Sequence, residues 1–439
     1  MSLPSVPSVA PMDTPVIQQT PDVDSLYRRI GWRLLPLLAL SYMLAYMDRV
    51  NISFAKAHMQ TQLGLSESVY GFAAGVFFVG YVIFEVPSNL LLAKIGARRT
   101  LSRIMVLWGV AAVSMLFVHE AHTFYVLRFL LGAFEAGFGP GLLFYLTLWY
   151  GPERRARVMA YLLLASPVAG IIGGPLSTIV MSALDGTAGL AGWQWLFLVE
   201  GAPCVLIGVL LFFILDDGPQ MAKWLDEAEK QVVAQHVGAG GPSRHRGLSG
   251  VVRDWRVYAL SFSYFCMISG LYAVSFWLPT LLRNAGVKQP LAIGLLAALP
   301  YIAAVVTMVA VAAHSDRSGE QRWHSAISCL VAAAMLFVTA SNLYDVRIAL
   351  PALVVATGAI YAGYSVFWAI PGNYLKGPAA AGGMAFINSV GLIGGFVSPL
   401  IIGSIKDATG SLQAGLSVIA ALIALGAIAL ACNRVPIDR

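Results

Sequence analysis

Asp48 and Arg49 in YMDRVNISFA, and Arg128 and Glu135 in LRFLLGAFEAGFGP, are ionisable groups set inside long runs of apolar residues. Such a side chain at the middle of a bilayer costs about 2.5–3.5 kcal/mol on insertion scales, so it has a partner or a use. Arg128 and Glu135 stand seven residues apart, two helical turns, and share a helix face. Gly132 and Gly139 lie on the same face and let a neighbouring helix come close. Two carboxylates and two guanidiniums sum to zero when ionised. As a structural unit they are buried salt bridges that lock helices together. As a functional unit they are a proton-coupled anion site: protonating a carboxylate frees an arginine, and its planar fork grips a substrate carboxylate bidentately.

The second half of the chain has no equivalent charges. Val354 and Tyr361 stand where an internal repeat places Arg128 and Glu135. It offers Tyr272, Tyr361, Tyr364, Ser365, Trp368 and Asn388 instead, groups that hydrogen-bond hydroxyls or a second carboxylate. Of these, a buried Asn388 most needs partners. Glu85, just before Pro87, is expected to join nearby arginines in a loop network, and Glu200, after Trp193 and Trp195, to be structural. Cys204, Cys266, Cys329 and Cys432 each sit alone in apolar sequence, with no metal-ligand spacing. The histidines fall near span ends. No nucleophile constellation, metal cluster or phosphate-binding glycine loop is present, so no enzyme activity and no cofactor are expected, with protons as the coupling ion.

The elements that position these residues follow from composition. The chain is 58% hydrophobic and 11% charged, with mean hydropathy +0.75. Soluble domains carry about 25% charged residues, so lipid is the solvent that fits. The apolar runs predict an all-α integral membrane protein with twelve spans, near 30–54, 70–93, 101–119, 122–147, 157–183, 194–215, 255–283, 291–313, 324–341, 346–371, 379–403 and 411–432. Of the 28 Lys and Arg, 21 fall on the side that would hold both termini and five on the other, which makes that side cytoplasmic. Residues 1–26 read as a disordered cytoplasmic tail. Residues 27–215 and 255–432 read as two six-helix halves, 216–254 as a cytoplasmic middle loop with a short amphipathic helix and a Gly/Ser linker, and 433–439 as a second tail. The halves repeat weakly. Ser53-Phe54 matches Ser275-Phe276, residues 94–99 match 317–322, Gly170-Ile-Ile-Gly173-Gly174 matches Gly391-Leu-Ile-Gly394-Gly395, and Ala136-Gly137-Phe138 matches Ala362-Gly363-Tyr364, at offsets of 221 to 226. In carriers built from such repeats the substrate binds between them at mid-membrane.

The chain resembles the major facilitator superfamily, and within it the anion:cation symporter branch of tartrate, phthalate and sugar-acid permeases. YMDRVNISFA, FEVPSNLLLAKIGARR, LRFLLGAFEAGFGPG, WQWLFLVEG, HSDRSGEQRWH and FINSVGLIGGFVSP carry the resemblance. The gating pattern GxxxDRxGRR keeps Lys94, Gly96, Arg98 and Arg99 in its first copy, with Asn89 and Ala93 replacing the Gly and Asp. The second copy keeps Asp316 and Arg317, with Ala312 in the Gly place. Similarity to galactonate-type symporters implies that Asp48 and Glu135 carry protons, that Arg49 tunes Asp48, and that Arg128 links substrate to Glu135. It also matches Tyr46, Tyr81, Ser365, Trp368 and Asn388 to substrate-contacting positions. Phe367 stands where a sugar-acid carrier has a small hydroxyl residue, which allows an aromatic acid.

The expectation is proton-coupled uptake of a small organic carboxylate by an inner-membrane protein, lipid-embedded, monomeric, and without nucleic-acid partners. The rival within the same fold is proton-antiport efflux of drugs or metabolites.

Overall fold

The computed structural model describes residues 22–238, 254–375 and 378–433. The tail reading for residues 1–21 and 434–439, and most of the Gly/Ser linker, lie outside the described residues.

Twelve helical spans cross the thickness of a bilayer: Val23–Leu63, Glu67–Leu92, Ala97–Phe117, Ala121–Trp149, Glu153–Ala183, Gly192–Ile214, Trp255–Asn284, Pro290–Ser318, Arg322–Ser341, Val346–Tyr374, Gly382–Thr409 and Leu412–Cys432. They form two six-helix halves, and the even number of spans puts Val23 and Cys432 on one side, called here the termini side. The middle segment contributes one helix, Glu227–Gly238. The first helix starts earlier than its hydropathy suggests. Asp22 caps it by accepting from the Asp24 amide at 3.1 Å, so residues 23–26 are helix and not tail.

The first span keeps right-handed helical geometry through Asn51, and the tenth through Trp368. The fourth breaks directly after Glu135, where Gly137 takes φ +84°, a conformation that a side chain would strain. Breaks of this kind free backbone groups only where protein or a cavity can satisfy them.

The halves meet along two seams, the second span against the eleventh and the fifth against the eighth. Glycines set both. A Cβ on Gly75 would stand 2.6 Å from the Phe396 carbonyl oxygen, and one on Gly174 would stand 2.8 Å from that of Gly294. The repeated Gly motif thus serves helix packing on both sides of the pseudo-twofold, since Gly395 makes room for Phe78 across the other seam. Gly75→Val is expected to destabilise the protein by roughly 1–3 kcal/mol through overpacking, read as a lower unfolding temperature of purified protein. An unchanged value would mean that the seam is looser than described.

Candidate functional site

Asp48, Arg49, Arg128 and Glu135 are all buried, and the fold brings them into one region of the first half. Arg49 projects from the first span toward the second half. Its Nη2 pairs with the Glu135 carboxylate, and its Nη1 donates to the Tyr272 hydroxyl of the seventh span at 2.8 Å. The guanidinium stands among the rings of Tyr46, Phe77 and Tyr81, at 4.9, 5.2 and 5.5 Å from their centroids. The Arg128 guanidinium is also 5.2 Å from the Phe77 ring centroid. It donates to the carbonyls of Ala73 and Ala74 at 3.3 and 3.5 Å and reaches no carboxylate.

This pairing differs from the expected one. Consecutive residues on a helix point about 100° apart, so Asp48 and Arg49 cannot serve the same space. Asp48 faces the interior of the first half, where it accepts from Trp108 Nε1 at 2.5 Å, Cys204 Sγ at 3.3 Å and Asn51 Nδ2 at 3.3 Å. Arg49, not Arg128, holds Glu135. Trp108 and Cys204 were missed in the sequence, where one reads as a core aromatic and the other as a core hydrophobe.

Beside Tyr272 a small cavity of about 10 Å³, room for about one water molecule, lies between the halves, lined by Tyr46 and Ser166 from one half and by Ser275, Tyr301 and Tyr361 from the other. Gly170 permits this by leaving room for the Tyr301 ring, whose hydroxyl donates to Ser275 Oγ at 3.2 Å. Six hydroxyl-bearing side chains therefore border this space, and two of them, Tyr46 and Tyr272, also contact the Arg49 guanidinium.

The sequence profile of the Major Facilitator Superfamily matches residues 38–399. The chain belongs to that superfamily. A relative from Agrobacterium vitis, provisionally named a tartrate transporter, is 45% identical over 406 residues, covering 91% of this chain and 89% of the relative. A protein of Acinetobacter baumannii named as a quinolone resistance transporter is 36% identical over 405 residues, covering 91% and 93%. The crystal structure of a D-xylose-proton symporter superposes with a TM-score of 0.74 at 15% identity, covering 92% of this chain and 98% of that one, a likeness of fold. The chain is thus a multi-pass membrane transporter and not an enzyme.

The remaining expected site residues divide. Tyr46, Tyr81, Tyr272 and Tyr361 gather at the Arg49 region or its cavity. Ser365 spends its hydroxyl on the Ala362 carbonyl of its own helix, at 2.9 Å. Trp368 stands edge-on to Tyr264 with centroids 4.9 Å apart. Phe367 is fully buried and stacks on the same ring at 5.2 Å, so it does not border the cavity as a specificity residue would. Asn388 sits farther toward the termini side, where Nδ2 donates to Glu85 Oε1 at 2.8 Å and ties the eleventh span to the second. Glu85 therefore partners an amide of the opposite half, not the loop arginines.

The superfamily's gating loops also depart from expectation. Gly96 has φ +90°, and Asp217, from the end of the sixth span, packs against it and accepts from the Arg98 amide at 2.9 Å. Asp217 thus places a carboxylate at the first loop, whose expected Asp position holds Ala93. Lys94, Arg99, Asp316 and Arg317 are exposed at the ends of their helices.

On the far side the halves are closed by charges that hydropathy left unremarked. Lys56, which reads as a loop residue, is only 2% exposed because the first span continues helically to Leu63. Its Nζ pairs with Glu67 at 2.7 Å, sits 3.5 Å from the Trp277 ring centroid and reaches Thr280 at 3.4 Å. Lys406 of the eleventh span pairs with the same Glu67, and Asp407 accepts from the Glu67 and Ser68 amides at 3.1 and 2.7 Å. Cutting this lock is expected to open the far side. Spin labels on the exposed Thr61 and Lys288 should move apart in Lys56→Gln relative to the parent. Superimposable distance distributions would show that the network does not hold the closure.

Proposed function

We propose that the chain imports a small organic carboxylate of the tartrate, sugar-acid or aromatic-acid class across the inner membrane, coupled to protons, by alternating access. The observation that carries this reading is Arg49. One guanidinium of the first half is held by Glu135 and is hydrogen-bonded to Tyr272 of the second half, which itself lines the small cavity between the halves.

The cycle follows from that geometry. A proton arriving on Glu135 makes it a neutral acid and releases Arg49. The freed fork takes the substrate carboxylate in a charge-assisted pair, and Tyr272 and the cavity hydroxyls bind what the arginine does not reach. Pairing neutralises the charges over which the halves must rock, and so lowers the cost of excluding water from the site. On the cytoplasmic side the proton leaves, Glu135 reclaims Arg49 and the anion is displaced. Carrying more positive charge in protons than negative charge in substrate makes the cycle electrogenic, with about 2.3 kcal/mol available per charge per 100 mV. The Agrobacterium vitis relative supports the substrate class.

A thermal-shift screen of purified protein against tartrate, sugar acids, phthalate and hydroxybenzoates tests the binding step. A ligand at a hundredfold its dissociation constant stabilises by about 2.7 kcal/mol. The expected result is a carboxylate that stabilises more at mildly acidic than at neutral pH. The Acinetobacter baumannii relative favours efflux by proton antiport as the second reading. Shifts from cationic or neutral amphiphiles, and from no acid, would select it.

A further inference from the structure

Glu200 has no part in the cycle above, yet it is buried to 3% exposure in the sixth span. Ser177 of the fifth span donates to its Oε1 at 2.9 Å, and its Oε2 has no hydrogen-bond partner. The Asn51 side chain of the first span adjoins Glu200 and donates its Nδ2 to Asp48 at 3.3 Å. The Asn51 carbonyl oxygen is likewise buried and unpartnered. One amide therefore stands between two buried carboxylates, with an unused oxygen on the amide and another on Glu200.

The groups facing this pair are few. They are Asp48 and Asn51 from the first span, Trp108 from the third, Ser177 from the fifth and Cys204 from the sixth itself. Arg49 is turned to Glu135, and Arg128 is turned to the Ala73 and Ala74 carbonyls. Among the described residues no cation is ion-paired with Asp48 or Glu200. A buried charge without a counter-ion is far costlier than a buried neutral acid with hydrogen bonds. The whole region also counts to one proton. Arg49 and Arg128 oppose Asp48, Glu135 and Glu200, so a single proton brings the cluster to neutrality.

We propose that Asp48 and Glu200 form a proton-binding pair that holds one proton, seated on Glu200, with Asn51 as the bridge. Asp48 accepts from three donors, which suits an ionised acceptor, whereas Glu200 accepts from one and has a free oxygen to protonate. The proton on Glu200 gives the Asn51 carbonyl the donor it lacks. Through this amide, a change of charge at Asp48 during transport alters how firmly Glu200 holds its proton. That part in transport rests on the proton-coupled reading above; the resident proton does not.

Infrared spectroscopy of the purified protein in nanodiscs at neutral pH tests this without any substrate. The expected result is a protonated-carboxyl stretching band from a buried acid in the parent chain, with the intensity of one carboxyl lost in Glu200→Gln. Glutamine keeps the size and one hydrogen-bonding oxygen. Biosynthetic labelling with glutamate carrying 13C at the side-chain carboxyl should shift the same band in the unmutated protein, which removes dependence on the variant's folding. Absence of the band, its survival at full intensity in Glu200→Gln, or its failure to move on glutamate labelling would each overturn the proposal. A failure of carboxylate uptake with the band present and sensitive to labelling would instead count against the transport reading alone.

Discussion

Glu135→Gln is expected to end uphill accumulation while leaving substrate exchange intact. Glutamine has nearly the shape of a protonated glutamate, but it carries no proton from one side to the other. With Glu135 neutral in every state, Arg49 is permanently free to hold a carboxylate against Tyr272. Binding and counterflow then continue, but a pH gradient has nothing to act on. Each coupled proton makes one pH unit worth about 1.36 kcal/mol, a tenfold accumulation. The variant's accumulation ratio should therefore fall toward one in vesicles with an imposed gradient, with labelled substrate still exchanging against unlabelled. Uphill uptake by Glu135→Gln at the parent level would remove Glu135 from the coupling mechanism.

Removing the arginine has a second large effect, on stability as well as on transport. Arg49→Met leaves the Glu135 carboxylate buried at 1% exposure without its cation, and leaves the Tyr272 hydroxyl without its donor. Breaking a buried pair by deleting one partner costs about 3–5 kcal/mol, most of it from the charge left behind. The double variant Arg49→Met with Glu135→Gln removes both charges and should regain most of that loss. It should not regain transport, because nothing remains at the cavity to grip an anion. Unfolding temperatures of the two variants, with uptake measured alongside, separate these outcomes. An Arg49→Met protein as stable as its parent would mean that Glu135 finds another partner or is neutral.

The fold was legible in the sequence to a large degree, because bilayer thickness imposes span lengths and every apolar run met that demand. The two seams were foreshadowed by the repeated Gly motif, whose small residues only matter where helices touch. Which residues bind which was far less legible. Asp48 and Arg49 are neighbours in sequence, yet their helical phases send one into the first half and the other toward the second. Glu85 and Asn388 stand 303 residues apart, and nothing local to either marks the partner. Hydropathy ends the first span near residue 54, before Lys56. The continuation of that helix to Leu63 is what carries the lysine under Trp277. Cys204 and Trp108 gave no signal at all, since each suits a core position and only the facing Asp48 gives it a polar task.

The central claim is that substrate and protons move together. Vesicles of known orientation, loaded with a pH-sensitive dye and supplied with labelled tartrate, phthalate or whichever acid stabilises the purified protein, measure this directly. The account predicts that adding the acid outside, with no gradient imposed, acidifies the lumen as the label enters, and that the Glu135→Gln protein takes up label without acidification. Alkalinisation of the lumen as label enters would mean antiport and would contradict the account.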